Sequence, residues 1–564
     1  MYHGDILISY DLPVKLMKRI LIYLLILLSA AACNDGGNND INPGASFSFS
    51  SARVDNIYSG LEYHGVKTTP EIKLFFNDAV DRSTVESSVR LTDANTNTTA
   101  LLFSYMNGDS TLLVRPASGL SFISKYVLGV SAALKASDGK ELRAPVSLSI
   151  TTAIDSSSKF EVITDDSLLT LIQKRTFAYF HDFAHPVSGM ARERNTSGDI
   201  VTTGGTGFGI MAVPVAVERG FITRSEGLSM VSKITDFLTN TAVRFHGAFS
   251  HWMNGSTGQV VPFSTYDNGA DIVETSYLMM GLLTARQYFN DPGEAETTLR
   301  TKINALWNAV EWDWYRKDGR DMLYWNWSPE YYWAVNVPVR GWNECLITYV
   351  LAASSTTHTI PVSVYETGFA FNGAIKNNNS YYGYVLPLGK PYGGPLFFEH
   401  YSFMGINPGN LSDQYADYHI QTVNHTLINY SYCKENPKSY YGYSSSCWGL
   451  TASDIPGGYN ANSPTSDEGV IAPTAAVSSI AYTPEESMQA IRFFYYKLGN
   501  KIWGQYGFND AFDLNEAWFS GSYIAIDQGP QIAMIENYRT GLIWDLFMSC
   551  PEVQAGLTKL KFSY

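Results

Sequence analysis

Short stretches of alternating apolar and polar residues follow one another between residues 46 and 153. Six of them are rich in Val, Leu, Phe and Thr and are predicted to be strands, over residues 71–77, 88–92, 100–105, 111–115, 126–131 and 146–152. Turn residues, such as Asn107-Gly108-Asp109, separate them at a spacing typical of a β-sandwich. The pattern therefore predicts a small all-β sandwich over residues 46–153.

The pattern changes to a helical period after a linker predicted at residues 154–160. Apolar residues recur every three to four positions over residues 168–183, 271–289, 296–310, 344–353 and 531–548. Residues 223–226 (TRSE) and 483–486 (TPEE) match capping boxes. The second opens a helix that we expect to run to about Leu498 and to end at Gly499. Residues 161–564 are therefore predicted to form an all-α domain.

Long loops dense in Gly, Trp and Tyr connect these helices. They favour an α/α toroid, in which helix ends face one cavity, although periodicity alone predicts helices and not their arrangement.

Composition narrows the functional classes. The chain has 564 residues with 53 acidic and 39 basic side chains, a net charge of −14, and only scattered Lys and Arg, which excludes the basic stripe of a nucleic-acid binder. Hydrophobic residues make up 45%, enough for a large core, and aromatic residues 14%, which weakly favours contact with sugar rings.

The N-terminus has the features of an export signal. Met17 begins a basic segment, residues 20–28 are apolar, and small residues precede Cys33. We expect residues 1–33 to be a signal peptide and lipobox with Met17 as the true start, Cys33 to be lipidated, and residues 34–45 to be a tether. The chain would then be an exported lipoprotein, periplasmic or anchored to the outer membrane of a Gram-negative bacterium, and would meet the membrane only through this anchor. An ordinary signal peptide with an incidental cysteine is the alternative.

Four further cysteines and ten histidines give no sign of a metal site or cofactor. No paired CxxC, HExxH, P-loop or GxSxG motif occurs, and residues 205–209 (GTGFG) miss the last glycine of a dinucleotide loop. Cys345 is predicted to be a buried thiol, and Cys433 and Cys447 flank a stretch that a disulfide could close. Carboxylate chemistry remains.

Acidic residues at predicted helix starts are the candidates for that chemistry. Asp267, Asp271 and Glu274 precede or open one helix; Asp271 could cap it and Glu274 could complete a capping box, but a crowded set would also raise a carboxyl pKa, as a general acid requires. Glu344 begins another helix, where it could simply balance the helix dipole. Asp527 is predicted to lie in a loop before the last long helix, where capping that helix is the alternative to a catalytic role.

Two neighbouring features have competing interpretations. Tryptophans 325, 327, 333 and 342 cluster near Glu344, either as packed core or as a sugar platform. Glu536 is better suited to an ion pair inside its helix, with an arginine such as Arg539, than to catalysis.

Five sequence runs together resemble a known family. They are GGTGFGIMAV (204–213), DNGADIVETSYLMMGLL (267–283), GWNECLITYVLAASS (341–355), WGLTASD (448–454) and AIDQGPQIAMIENYRTGLIW (525–544). They resemble the glucoamylase-like helical domain and, within it, glycoside hydrolase family 144, the β-1,2-glucanases, over residues 160–560. The resemblance implies an (α/α)6 fold and an inverting hydrolase without metal, acting on β-1,2-glucan either as an endo-enzyme or as an exo-type enzyme that releases sophorose. It places Asp267, Asp271, Glu274, Glu344 and Asp527 at the family's functional acidic positions.

The N-terminal sandwich resembles bacterial Ig-like modules. The P-x-I-x-x-x-F opening is carried by Pro70, Ile72 and Phe76. Such modules are usually spacers or docking surfaces, and a sugar-binding module is the alternative.

Inversion requires a protonated acid at the glycosidic oxygen and a carboxylate that activates water, about 6.5–9.5 Å apart. We assign Glu344 as the acid, acting directly or through a substrate hydroxyl, Asp527 as the base, and Asp267, Asp271 and Glu274 as the group that holds the sugars. The candidate sugar contacts are Arg192, His251, Trp252, Trp325, Trp327, Arg340, Trp342, His400, Tyr415 and Trp448.

Two other functions compete. A toroid polysaccharide lyase could use His400 and Tyr401, but the acidic cluster would repel its anionic substrate. A non-catalytic glycan-binding outer-membrane lipoprotein would need aromatic platforms but no paired acids. Endo or exo action depends on whether a loop closes one end of the groove, and residues 377–436 are the candidate segment.

Overall fold

Residues 46–564 are described by the structure, a computed structural model, and they divide into two units. The first unit contains the described residues up to Ile154 together with Gly458–Asn460, and the second contains Asp155–Gly457 and Ala461–Tyr564. The predicted signal peptide, Cys33 and the tether lie outside the described residues.

The first unit is a sandwich of two sheets. One sheet has the strand order β1-β3-β7-β6 and the other β2-β9-β8-β4-β5. The strands are β1 Phe49–Val54, β2 Glu62–Val66, β3 Ile72–Phe76, β4 Val89–Asp93, β5 Thr98–Thr99, β6 Leu101–Met106, β7 Thr111–Pro116, β8 Lys125–Val130 and β9 Val146–Thr152, and helix α1 is Arg82–Ser88. Alternation along β3 turns Ile72 and Leu74 into the core, where both are fully buried. The predicted all-β sandwich is confirmed, while β1, β2, β5 and α1 were not predicted.

The second unit is mainly helical, as predicted. Its α-helices are α2 Asp165–His181, α3 Thr203–Glu218, α4 Arg224–Asn240, α5 Ile272–Tyr288, α6 Glu294–Asn308, α7 Leu346–Ser354, α8 Tyr418–Glu435, α9 Pro473–Ser478, α10 Pro484–Ile502, α11 Ala525–Arg539, α12 Leu542–Met548 and α13 Pro551–Lys559. Short 3-10 or π turns lie at Trp312–Arg316, Val364–Phe369, Phe371–Gly373, Leu396–Glu399 and Ser402–Met404.

Short strands in the loops complete the unit. They are β10 Ile200–Thr202, β11 Trp252–Asn254, β12 Val260–Val261, β13 Ala270–Asp271, β14 Asn326–Trp327, β15 Lys376–Tyr381, β16 Tyr384–Leu388, β17 Ala452–Ile455, β18 Gly458–Ala461, β19 Trp503–Gly504, β20 Gly507–Phe508, β21 Phe512–Asp513 and β22 Trp518–Phe519. β10, β11 and β12 form one sheet, and β13 pairs with β14.

The two predicted capping boxes have different outcomes. Thr223 and Glu226 exchange both bonds, so the first is confirmed. α10 begins with Pro484 as expected, but Thr483 makes no side-chain cap, so the second is wrong. The predicted end at Gly499 is also wrong, because α10 continues to Ile502. An added Cβ at Gly499 would lie 2.4 Å from a ring carbon of Phe160, so this glycine permits close packing rather than ending the helix.

The helix predicted over residues 531–548 is two helices, α11 and α12. α11 begins at Ala525, before Pro530, so Asp527 lies in its first turn and not in a preceding loop. α11 ends at Arg539, and Gly541 then adopts a φ of +75°, which residues with a side chain rarely adopt.

α3 and α5 cross in direct backbone contact. A Cβ added to Gly207 would lie 2.2 Å from the carbonyl oxygen of Tyr277, and one added to Gly281 would lie 2.1 Å from the carbonyl oxygen of Gly207. Because neither position can hold a side chain, the crossing fixes the N-terminus of α5 beside that of α3.

No helix within residues 46–564 is long and apolar enough to cross a membrane.

Gly207→Ala is expected to lower the free energy of unfolding of the helical unit by about 1–3 kcal/mol, because the methyl group overpacks the crossing. Helix propensity alone would make a Gly→Ala substitution raise the free energy of unfolding by about 1 kcal/mol. Gly521→Ala is the matched control, since nothing lies within 4 Å of its added Cβ and its φ is not positive. Thermal and urea unfolding measure both, and a Gly207→Ala variant as stable as the control would contradict the packing argument.

Candidate active site

Asp271 caps α5 and also faces the loops around it. Its Oδ1 accepts hydrogen bonds from the backbone N–H groups of Val273 and Glu274, at 3.0 and 2.9 Å. Its Oδ2 accepts one from the indole of Trp325 at 3.1 Å and lies 3.1 Å from Nδ1 of His251. The capping role predicted for Asp271 is therefore confirmed, but the same carboxylate holds two further side chains.

Glu274 does not close a capping box on Asp271. Its Oε2 instead accepts a hydrogen bond of 2.7 Å from the N–H of Gly204, in the first turn of α3. A Cβ at Gly204 would lie 2.5 Å from that oxygen, so only glycine leaves room for the contact. Burial raises the pKa of Glu274, the nearby charge of Asp271 raises it further, and His251 opposes both.

Asp267 and His251 belong to the same first acidic group, and so does Glu344, whose carboxyl group feels the charges of Glu274 and Asp271. Burial, followed by the charge of Asp271, raises the pKa of Asp267 to about 7, although Asn326 donates a hydrogen bond of 3.0 Å to it. Burial alone would lower the pKa of His251, but the charge of Glu274 and the bond to Asp271 outweigh it and raise that pKa to about 9. His251 is therefore a cation among three acids at neutral pH.

Glu344 lies two residues before α7, with its backbone held from two sides. Its carbonyl oxygen accepts hydrogen bonds from the hydroxyls of Tyr277, at 3.4 Å, and Ser402. Burial raises the pKa of the Glu344 carboxyl to about 7; its own backbone N–H opposes this, and the charge of Glu274 adds to it. A large fraction of this carboxyl is protonated at neutral pH, which a general acid requires.

A buried network anchors the segment that precedes Glu344. Oε1 of Glu399 accepts hydrogen bonds from Trp342 Nε1 at 2.8 Å and Gln421 Nε2 at 2.9 Å, and it lies 2.7 Å from Nδ1 of His425. Nothing in the sequence pattern connected these residues, because they come from three separate elements.

Asp527 belongs to a second acidic group that the sequence only partly indicated. It is 3% exposed and lies beside Asp510, which is equally buried between β20 and β21. Oδ2 of Asp510 accepts a 2.7 Å hydrogen bond from the backbone N–H of Asp454, whose carboxylate is paired with Arg194 at 3.1 Å. Burial, then the charge of Asp454, raises the pKa of Asp510 to about 7, and burial followed by Asp510 raises the pKa of Asp527 well above its usual range.

The first turn of α3 touches the elements that carry both groups. Gly204 contacts Glu274, and a Cβ at the adjacent Gly205 would lie 2.7 Å from Cβ of Ala525, two residues before Asp527. Acids from distant parts of the chain therefore flank one helix turn.

Several predicted sugar contacts surround the first group. Trp325 binds Asp271, and Trp252 and His251 both pack on Phe263, with ring centroids 4.8 and 4.4 Å away. Trp327 is half-buried on β14, directly opposite Ala270.

Three further candidates are half-buried. Arg192 lies over the ring of Phe183 and Arg340 over that of Phe371, at 4.9 and 4.4 Å. In both, the buried Nε has no hydrogen-bond partner within residues 46–564. The hydroxyl of Tyr415 accepts a hydrogen bond from Gln414.

Three other candidates are buried among protein atoms. Trp342, His400 and Trp448 are 4%, 2% and 0% exposed, and their ring nitrogens meet Glu399, the Ser479 hydroxyl and the Glu486 carbonyl. The structure thus corrects their assignment as sugar contacts, because tryptophan and histidine also fill cores.

Two pairing predictions are also corrected. Glu536 lies in α11 and forms an ion pair, as expected, but its partner is Arg219, at 2.8 Å, rather than Arg539, which pairs with Asp166. Cys433 and Cys447 are free thiols, so the possible disulfide is not formed, whereas Cys345 is a buried thiol as predicted. Among residues 46–564, no group of three or more His, Cys, Asp or Glu side chains is placed to hold a metal ion.

His251→Asn tests the cation in the first group, because the amide keeps a hydrogen-bond donor and removes the charge. A folded-state pKa above the ordinary value means that the charge stabilises fully below pH 6.5 and that this contribution is lost as the pH rises through about 9. We expect the variant to be less stable by about 1–3 kcal/mol near pH 6, with the difference disappearing above pH 9.

His358→Asn is the control for that measurement, because His358 pairs with Asp313 at the surface, where such a pair contributes little. Melting temperatures between pH 5 and 10 measure both variants. A loss for His251→Asn that does not change with pH would contradict a charged His251.

Two family models match the chain. One described as "Bacterial Ig-like domain" matches residues 54–152, and one described as "Putative glucoamylase" matches residues 336–551.

A curated relative supports the same relationship. The exo β-1,2-glucooligosaccharide sophorohydrolase (non-reducing end) of Parabacteroides distasonis is 45% identical over 423 residues, which is 71% of this chain. The chain covers 58% of that relative's length.

Two solved structures are similar along the helical unit or beyond it. An endo-β-1,2-glucanase from Chitinophaga pinensis, in complex with sophorotriose and glucose, is 52% identical with a TM-score of 0.70 and covers 72% of this chain and 99% of its own. A β-1,2-glucanase from Parabacteroides distasonis is 37% identical with a TM-score of 0.69 and covers 92% and 73%. The predicted resemblance is confirmed: the chain belongs to glycoside hydrolase family 144, the glucoamylase-like β-1,2-glucanases, and carries a bacterial Ig-like domain before its helical domain.

Proposed function

We propose that this chain is an inverting glycoside hydrolase that cleaves β-1,2-glucan or β-1,2-glucooligosaccharides. The observation that carries the proposal is the presence of two acid groups with raised pKa values beside one helix turn, one containing Glu344 and the other Asp527. Three relatives, between 37% and 52% identical to this chain, are named for action on β-1,2-linked glucose chains, and their names support the proposed substrate class.

Glu344 is the proposed general acid. Its pKa of about 7 keeps a proton available for the departing glycosidic oxygen. The bonds of Tyr277 and Ser402 to its carbonyl and the anchoring of Trp342 nearby hold its position without neutralising the carboxyl group.

Asp527 is the proposed base side. Inversion needs a water molecule between the base and the anomeric carbon, opposite the leaving group. Asp527 belongs to an acid group separate from that of Glu344, which fits two different roles.

Asp267, Asp271 and Glu274 are proposed to hold the sugars and to tune Glu344, whose pKa responds to the charge of Glu274. The half-buried side chains around them are the proposed sugar contacts: Arg192, His251, Trp252, Trp325, Trp327, Arg340 and Tyr415.

An (α/α)6 toroid is the proposed arrangement of the helical unit. Its support is a set of contacts that returns to its start: α3 packs on α5, α5 on α7, α7 on the turn Ser402–Met404, that turn on α11, and α11 on α3 and α9. α2 packs on α3 and α11, α4 packs on α3 and α6, and α6 packs on α4 and α5, which fits a second layer of helices.

The lyase alternative loses its candidate base. His400 is buried, and burial followed by the charge of His425 lowers its pKa to about 3, while Tyr401 is only 5% exposed. A non-catalytic binder would not need carboxyl groups held near neutral pKa.

Attachment through a lipid on Cys33, and thus a place in the periplasm or on the outer membrane, is also proposed; its support is the residue pattern at positions 17–33.

The purified chain should release reducing sugars from soluble β-1,2-glucan. Glu344→Gln should lower kcat about 100-fold to 10,000-fold without unfolding the protein, because an amide cannot transfer a proton as a general acid. Glu366→Gln is the control, since Glu366 forms a surface pair with Lys561. Wild-type activity should also fall above pH 7 as Glu344 ionises. Activity on another glucan only would exclude the substrate, and a near wild-type Glu344→Gln would exclude the assigned acid.

The products over time should distinguish the two modes of action of the family. Sophorose from the start indicates an exo-type enzyme whose groove is closed at one end. A spread of oligosaccharides that shortens with time indicates an open groove. The segment to examine is residues 377–436, which contains the β15–β16 hairpin and α8.

A further inference from the structure

Asp510 and Asp527 each have one buried carboxyl oxygen without a partner. Oδ1 of Asp510 and Oδ2 of Asp527 are both shielded from solvent, and neither has a hydrogen-bond partner among the described residues. The two side chains lie within hydrogen-bonding reach of one another. Asp510 is thus a residue that sequence patterns missed, in contact with one that they singled out.

Two ionised carboxylates in this position would have a high free energy. Each would bury a charge, and the two like charges would face each other across a hydrogen-bond distance. A single proton between them removes both costs, because one carboxyl then donates to the other.

The neighbouring groups leave that proton as the means of neutralisation. The carboxyl oxygens of Asp454 accept hydrogen bonds from Arg194, Ser520 and Ser522. Arg194 is bound to Glu193, at 2.9 Å, and to Asp454, and its charge lowers the pKa values of Asp510 and Asp527 by less than burial raises them. The backbone N–H of Asp454 donates a hydrogen bond to Oδ2 of Asp510. Oδ1 of Asp510 is therefore left for Asp527.

We propose that Asp510 shares one proton with Asp527 and acts as a positioning residue that sets the proton affinity of the base. This inference rests on the proposed function only where it concerns catalysis; the shared proton itself does not depend on it.

The Asp510–Asp527 pair can accept the proton that the attacking water loses during hydrolysis. As the water oxygen bonds to the anomeric carbon, one O–H bond of the water breaks and its proton passes to the other oxygen of Asp527. The shared proton moves onto Asp510. The C–O bond to the leaving sugar breaks, and the leaving oxygen takes the proton of Glu344. The pair ends with two protons and Glu344 with none, and exchange with solvent restores both.

Infrared difference spectra at pH 7 test the shared proton directly. Wild type minus Asp510→Asn and wild type minus Asp527→Asn should each show the C=O band of one buried carboxylic acid, because the asparagine amide replaces the donor and leaves the other carboxylate ionised. Other protonated acids, such as Glu344, cancel in the difference. Asp467→Asn is the matched control: Asp467 is 5% exposed and accepts bonds from the hydroxyls of Tyr432 and Tyr443, so no acid band is expected.

Kinetics test the positioning role. Asp510→Asn should lower kcat about 10-fold or more with KM unchanged, because Asp510 acts through the base Asp527 rather than on the substrate. The pH profile of kcat should also change shape. The double variant with Asp527→Asn should be no slower than Asp527→Asn alone, because the pair acts as a unit. Equal pH profiles for wild type and Asp510→Asn, or fully multiplicative losses, would overturn the role.

The outcomes separate the two proposals. An acid band in a protein inactive on β-1,2-glucan would keep the shared proton and reject the proposed function. Activity on β-1,2-glucan without the band would keep the function and overturn the inference.

Discussion

The backbone contact between Gly207 and Gly281 is the constraint on which the candidate site depends. It brings α3 and α5 close enough for the Glu274 carboxylate to reach the N–H of Gly204. The helix N-terminus favours negative charge, so an acid that would otherwise be costly to bury is held there. Asp271 begins α5 at the same level, and Gly205 gives the same turn its contact with α11.

Charge balance follows from that packing. The two groups contain seven carboxyl groups: Asp267, Asp271, Glu274, Glu344, Asp454, Asp510 and Asp527. One cation belongs to each group, His251 to the first and Arg194 to the second. Burial of so many acids with so few cations raises several of their pKa values toward neutrality, and groups that titrate near neutral pH are those that can exchange protons during a reaction. The cost of packing and the capacity for acid–base chemistry therefore have one physical origin.

Local signals predicted a good part of this arrangement. The alternation along β3 and β9 predicted those strands almost to the residue, and Asp271 was predicted as an N-cap because a cap depends on residues two and three positions away. Glu344 and Asp527 were found through their place before or within helix starts and through a family resemblance.

Long-range contacts account for what the sequence could not predict. Glu274 was expected to bond within its own helix, but its partner Gly204 is 70 residues away. Asp510 follows a short strand without any motif, and its meaning comes only from its contact with Asp527. Gly499 carries the usual signal for a helix end, yet Phe160 packs against it. Trp448 and His400 have side chains suited to sugar contact, and only the folded chain shows that they are buried.

The central claim is that two separate acid groups act on opposite sides of one glycosidic bond. The most direct measurement is proton NMR of the first products released from β-1,2-glucan, recorded before mutarotation. The account predicts that the newly formed reducing end appears first as the α-anomer, since water attacks opposite the β-linked leaving group. A β-anomer formed first would show retention and would contradict the assignment of Glu344 and Asp527 as an acid and a water-activating base.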